Sequence, residues 1–89
     1  MKFSDQVVAS LKALHPGVRR DVRRALDDVN RGKKRDVRAL SAELAGFWRL
    51  RVGKYRVVFR YRESGELIAE FFGPRKTVDR SFQPPSASE

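Results

Sequence analysis

The sequence has no cysteine and a single histidine, His15. Without cysteine there is no disulfide to compensate for a small core, and a chain of this kind suits a reducing compartment. One histidine and no cysteine leave none of the usual zinc ligand sets, and no metal or organic cofactor is expected. No apolar run approaches the roughly 20 residues that a membrane span needs. The opening MKFSDQVVASLKAL places Asp5 and polar residues where a signal peptide needs an unbroken apolar block. A cytoplasmic location is the expectation. Eighty-nine residues form one domain, near the small end of what folds alone. The end, QPPSASE over 83–89, has no apolar residue larger than alanine. It reads as a flexible tail, which leaves 1–82 as the single folded domain.

Positive charge is what the chain has in excess. Lys and Arg number 20 against 11 Asp and Glu, for a formal net charge of +9 and a pI near 10.9. That balance points to nucleic acid, to an acidic protein partner, or to both. Between Phe47 and Arg62 stand Arg49, Arg51, Lys54, Arg56, Arg60 and Arg62, with no acid among them. A face that is merely soluble normally mixes signs.

The stretch FWRLRVGKYRVVFRY, Phe47 to Tyr61, reads as two strands joined by Gly53-Lys54. Glycine first in a two-residue loop suits a type II′ turn. The loop length sets the register: Val52 opposes Tyr55, Leu50 opposes Val57, and Trp48 opposes Phe59. Those six share one face, since side chains alternate along a strand. The other face carries Phe47, Arg49, Arg51, Arg56, Val58 and Arg60, with Arg51 directly across from Arg56. Like charges in that position are destabilising. Every half-buried antiparallel sheet has a solvated face. The missing acids make this one look built for an anion.

Upstream, Ser4 caps a first helix whose stripe is Phe3, Val7, Val8, Leu11 and Leu14. His15-Pro16-Gly17 breaks the chain, and Pro16 opens a second helix with Val18, Val22, Ala25, Leu26 and Val29 buried. Gly32 closes it. The helices form an antiparallel hairpin. The basic run from Gly32 to Arg38 reads as a solvated loop, and Ala39 to Ala45 as a helical turn ended by Gly46. Downstream, Glu63-Ser64-Gly65 is a three-residue hairpin loop. It puts Leu67, Ala69 and Phe71 on the apolar face and Glu66, Ile68 and Glu70 on the arginine face, with Phe72 opposite Arg56. Gly73-Pro74 stops this strand. Arg75 then falls at the same end of the sheet as Arg51, Lys54 and Arg56. The helices should cover the face holding Trp48, Leu50, Val52, Val57, Phe59, Leu67 and Phe71. His15 reads as an exposed turn residue and Trp48 as a packing residue.

A helical hairpin, then GFWRLRVGKYRVVF over 46–59, then Gly73-Pro74-Arg75, resembles the RelE/ParE superfamily of toxin–antitoxin toxins. The resemblance spans about residues 3–82 and is most specific at RLRVGKYRVVF. It implies an α+β fold, with an N-terminal helical hairpin on one face of a small antiparallel sheet; the family usually opens with a full strand, and here, with only Met1-Lys2-Phe3, that strand is expected to be short or missing. It implies a cognate antitoxin and action inside the cell. The RelE branch cuts messenger RNA on the ribosome, whereas the ParE branch poisons DNA gyrase. The RelE-like branch is favoured; a ParE-like gyrase inhibitor and a non-catalytic antitoxin-binding domain are the alternatives.

For a RelE-like chain the resemblance implies Arg51, Arg56 and Arg75 as the catalytic clamp on the scissile phosphate. Arg49, Lys54 and Lys76 are the flanking RNA contacts. Cleavage by the neighbouring 2′-hydroxyl needs that oxygen deprotonated, the crowded phosphate stabilised and the 5′-oxygen protonated. Arginine suits the second task, since it stays charged and forks onto phosphate oxygens. It suits the first badly. The chain departs from the RelE pattern by having Arg49 where some members have lysine, and by having no tyrosine after Arg75.

Overall fold

The computed structural model describes residues 1–74. The order is β1 (Lys2–Phe3), α1 (Asp5–Lys12), α2 (Pro16–Asn30), β2 (Val37–Ala39), a 3-10 turn (Ala42–Leu44), β3 (Trp48–Val52), β4 (Tyr55–Tyr61) and β5 (Leu67–Pro74). The strands form one five-stranded sheet in the order β1-β5-β4-β3-β2. The short β1 runs parallel to β5, and the other pairs are antiparallel. The architecture is the expected α+β fold with a short first strand of two residues, in a sheet that is mixed rather than purely antiparallel.

Local chemistry explains the helix ends. The Ser4 hydroxyl accepts the Val7 N–H at 3.2 Å, and Asp5 sits in the first turn, where the helix dipole favours an acid. Pro16 occupies the start of α2, and His15 caps it, Nδ1 accepting the Gly17 N–H at 3.1 Å. His15 is therefore the exposed turn residue expected, with a capping role besides. At the far end Gly32 takes φ of 76°. Its N–H donates to the Val29 carbonyl at 3.0 Å, and the Lys33 N–H donates to the Asp28 carbonyl at 2.8 Å. That pair of bonds is a Schellman closure, which needs a left-handed residue at this position.

The β3–β4 hairpin has the register expected of a two-residue loop, with Val52 opposite Tyr55, Leu50 opposite Val57, Trp48 opposite Phe59 and Arg51 opposite Arg56. Gly53 has φ of 56° and Lys54 does not share its sign, as a II′ turn requires. The main core lies between this face and the helices: Val7, Leu11, Val22, Ala25 and Leu26 meet Leu50, Val57, Phe59, Leu67, Ala69 and Phe72. Trp48 has the expected parity but lies beyond the helical cover and stays 37% exposed, so it is not the core residue expected.

Two other expectations fail for identifiable reasons. In β5, Phe59 faces Ala69 but Val58 faces Phe71, so Glu70 is an extra residue. The bulge reverses the faces beyond it. Phe72, not Phe71, enters the main core, opposite Val57; Gly73 rather than Phe72 faces Arg56, and the strand continues to Pro74 instead of stopping at Gly73. The basic run is also not wholly a loop: Val37–Ala39 pairs with β3 as an edge strand. The three-residue turn Glu63–Gly65 is as expected, with the Arg62 N–H donating to the Glu66 carbonyl at 2.9 Å. The tail expected over 83–89 lies outside the described residues.

Side chains continue the ladder where β1 ends. The Ser4 N–H donates to the Ala69 carbonyl at 2.9 Å and the Ser4 hydroxyl to the Glu70 carbonyl at 2.7 Å. The Gln6 amide then grips Phe72 on both sides, donating to its carbonyl at 2.8 Å and accepting its N–H at 2.9 Å. Backbone groups of an edge strand left without partners are costly when partly buried.

Phe59→Ala should cost about 3–5 kcal/mol, the usual penalty for emptying a fully buried aromatic site, read as a lower denaturant midpoint at unchanged slope. Gln6→Ala should cost about 1–3 kcal/mol. It should speed hydrogen exchange at the Phe72 amide while leaving the α2 amides near Val22 protected.

Candidate functional site

The sheet face turned away from the helices has two parts. One is apolar: Phe47 and Val58 are buried, with Leu40, Leu44 and Phe71 packed on them. The 3-10 turn brings Leu44 over this patch, the Phe47 N–H donating to the Leu44 carbonyl at 3.0 Å. The other part is cationic. Across the sheet, one row runs Asp36, Arg51, Arg56, Gly73, and the next runs Arg38, Arg49, Val58, Phe71. The face expected to be arginine-rich and built for an anion is thus half a second small core, with the arginines at its rim.

Backbone geometry draws Arg51 and Arg56 together. The Arg51 N–H donates to the Asp36 carbonyl at 3.0 Å, so it points away from β4. Arg51 and Arg56 are therefore a non-hydrogen-bonded pair, the closer kind, with Cα atoms about 4.5 Å apart. Arg49 lies beside them with its side chain only 11% exposed. Its Nη1 is buried without a hydrogen bond. Burial, and then the nearby charge of Arg56, with Arg38 and Arg51 adding to it, pushes the Arg49 guanidinium below the usual arginine range; Asp36 acts in the opposite direction. Arginine still carries its charge at neutral pH.

Elsewhere three arginines are matched locally. Arg35 binds Asp28 at 2.7 Å, Arg60 lies 3.6 Å from Glu70, and Arg62 lies 3.9 Å from Glu66. Arg49 and Arg51 share one carboxylate, Asp36, at 3.9 Å from each Nη1. Such long, half-exposed pairs are weak. Among the described residues, Arg38, Arg49 and Arg51 set against Asp36 leave a local excess of positive charge that a multiply charged anion would relieve.

Of the residues expected to act, Arg49, Arg51 and Arg56 are brought together, and Lys54 is exposed at the tip of the adjoining hairpin. Arg75 and Lys76 lie outside the described residues. Sequence reasoning missed Arg38 and Asp36, because both belong to the stretch read as a loop. The alternation of Val37, Arg38 and Ala39 was the available signal, since it places Arg38 on the face of Arg49 once the segment is taken as a strand. Among the described residues there is no cluster of His, Asp and Glu able to hold a metal ion. No helix of the described residues is long and apolar enough to cross a membrane.

The sequence matches no protein-family model and no curated protein. The fold, however, is similar to three solved toxin–antitoxin complexes. For the RelB–RelE antitoxin–toxin complex of Methanococcus jannaschii the TM-score is 0.74 at 18% identity, over 93% of this chain and 100% of that one. For the RelBE2 complex of Mycobacterium tuberculosis it is 0.68 at 27% identity, over 82% of this chain and 93% of that one. For the archaeal RelE–RelB complex of Pyrococcus horikoshii OT3 it is 0.66 at 26% identity, over 83% and 91%. Two helices on a five-stranded mixed sheet make this chain RelE-like in fold, matching these RelB–RelE complexes.

Proposed function

We propose that this chain is the toxin of a toxin–antitoxin pair, and that it cleaves messenger RNA on the ribosome in the cytoplasm. The observation that carries the reading is the juxtaposition of Arg51 and Arg56 beside the largely buried side chain of Arg49. Placing two arginines in direct opposition destabilises the free protein. An RNA phosphate gives that arrangement a purpose, since guanidinium pairs grip its oxygens. In this reading Arg51, Arg56 and Arg75 hold the scissile phosphate and stabilise the charge it gains as the 2′-oxygen attacks. Arg49, Lys54 and Lys76 contact the neighbouring backbone. No cofactor takes part.

The clamp is tested by single-turnover cleavage of ribosome-bound message, with binding measured alongside. Arg56→Ala and Arg75→Ala should each raise the barrier by about 2–4 kcal/mol, by analogy with removing one oxyanion donor, with little loss of binding. Arg24→Ala, on the exposed side of α2, should leave the cutting rate intact and weaken binding only through general electrostatics, an effect that added salt mimics. Undiminished cutting by Arg56→Ala and Arg75→Ala would remove the clamp. A parent protein that binds normally but cuts nothing would move the gyrase-inhibitor reading ahead, in keeping with the absence of a tyrosine after Arg75.

The similar structures are RelB–RelE complexes, and a net charge of +9 suits an acidic or amphipathic antitoxin segment. Expression of the chain alone should arrest protein synthesis and growth, and co-expression with its antitoxin should restore both. Harmless high-level expression alone would count against the toxin assignment.

A further inference from the structure

Cleavage by a neighbouring hydroxyl needs a proton acceptor, and the arginines of the site cannot supply one. Several carboxylates and the one histidine are already engaged. Glu70 is 13% exposed and lies against Arg60. Glu66 is held between the N-terminal amine, at 3.5 Å, and Arg62. Asp28 is bound by Arg35, and His15 caps α2 through Nδ1.

Asp36 differs from all of these. Its carboxylate is 49% exposed, with Oδ1 3.9 Å from Arg49 Nη1 and Oδ2 3.9 Å from Arg51 Nη1. Both separations exceed hydrogen-bond length, so the lone pairs remain for an incoming O–H. Its backbone is anchored, the carbonyl accepting the Arg51 N–H at 3.0 Å. The carboxylate therefore stands at the end of the row Arg51–Arg56, beside the place where the phosphate is to sit. A ribose 2′-hydroxyl is the group next to that phosphate. Among the described residues, the charged groups around Asp36, which lies just before β2, are Arg38 on β2, Arg49 and Arg51 on β3, Arg56 on β4, and Arg35, which is held by Asp28. Those cations offset the repulsion between a carboxylate and a phosphodiester.

We infer that Asp36 is the proton acceptor for the attacking 2′-hydroxyl, an assignment that rests on the RNA-cleavage reading above. The O2′–H bond breaks and its proton passes to an Asp36 carboxylate oxygen. The freed pair forms the O2′–P bond, and the P–O5′ bond breaks with its electrons on the 5′-oxygen. That oxygen takes a proton from water, and Asp36 returns its own to solvent. The products are a 2′,3′-cyclic phosphate and a 5′-hydroxyl.

The test uses the full chain on ribosome-bound message. A message with 2′-deoxyribose at the scissile position, which cannot be cut, reports binding. Asp36→Asn should bind that message at least as tightly as the parent and cut normal message about 10²–10⁴-fold more slowly. Asp36→Gly should regain rate on adding acetate, less on adding formate, and none on adding chloride, since only a proton acceptor follows basicity. Cutting by Asp36→Asn within about threefold of the parent overturns the assignment, as does equal rescue by chloride, which marks a positioning role toward Arg49 and Arg51. A parent that cuts nothing removes the cleavage reading and this assignment together. A cutting parent with an equally active Asp36→Asn removes the role of Asp36 alone.

Discussion

A strand cannot turn one side chain without turning all of them, and the two-residue loop at Gly53-Lys54 holds β3 and β4 to one register. Everything at the arginine face depends on that constraint. With Val52 opposite Tyr55, Leu50 and Val57 enter the main core, and Arg51 and Arg56 are forced to the other side, in opposition. A slip of one residue would exchange the two faces. The unfavourable meeting of the arginines is thus held in place by the burial of Leu50, Val57 and Phe59. Each of these contributes on the order of 1.5–3 kcal/mol, which exceeds the fraction of a kcal/mol that an exposed like-charge pair opposes.

The second apolar cluster strengthens the arrangement from the far side. Phe47, Val58 and Phe71, packed with Leu40 and Leu44, form an apolar patch in which Val58 stands directly opposite Arg49. Its guanidinium is partly desolvated, and its Nη1 is left without a hydrogen bond. A largely covered cation of this kind interacts more strongly with an approaching anion than one fully in water, because the local dielectric is lower. Phe71 reaches this cluster only because of the bulge at Glu70. That one extra residue both completes the far-side packing and, by turning Phe72 inward, the main core.

The legible parts of the sequence were those governed by local rules. The caps at Ser4 and Pro16, the closure at Gly32, and the turns at Gly53-Lys54 and Glu63–Gly65 depend on short-range chemistry, and so did the pairing of Arg51 with Arg56. The bulge was not legible, since leucine, alanine and phenylalanine alternate from Leu67 to Phe71 as an unbroken strand would. Only the competition between Phe71 and Phe72 for the core decides it. β2 was hidden because a three-residue edge strand gains its place from pairing with β3, while its charges argue for a loop. Trp48 has the parity of a core residue, and nothing local shows that the helices stop short of it. For the site, Arg49, Arg51 and Arg56 were readable, whereas Asp36 became visible only once β2 carried it to the end of the arginine row.

The two edges of the sheet are managed differently, and this bears on how a partner can approach. At β5 the two-residue β1 is extended by Ser4 and Gln6, whose hydrogen bonds occupy the outward groups of Ala69, Glu70 and Phe72. A strand arriving there must first displace them. Among the described residues nothing pairs with the outer side of β2. That edge carries Arg38, set directly beside Arg49. A second copy of the chain laid on it would set like charge against like, which guards against self-association. A segment with an acid facing Arg38 would meet no such barrier. The charge that discourages pairing between copies is therefore the charge that admits an acidic partner, and the edge it protects lies next to the arginine row.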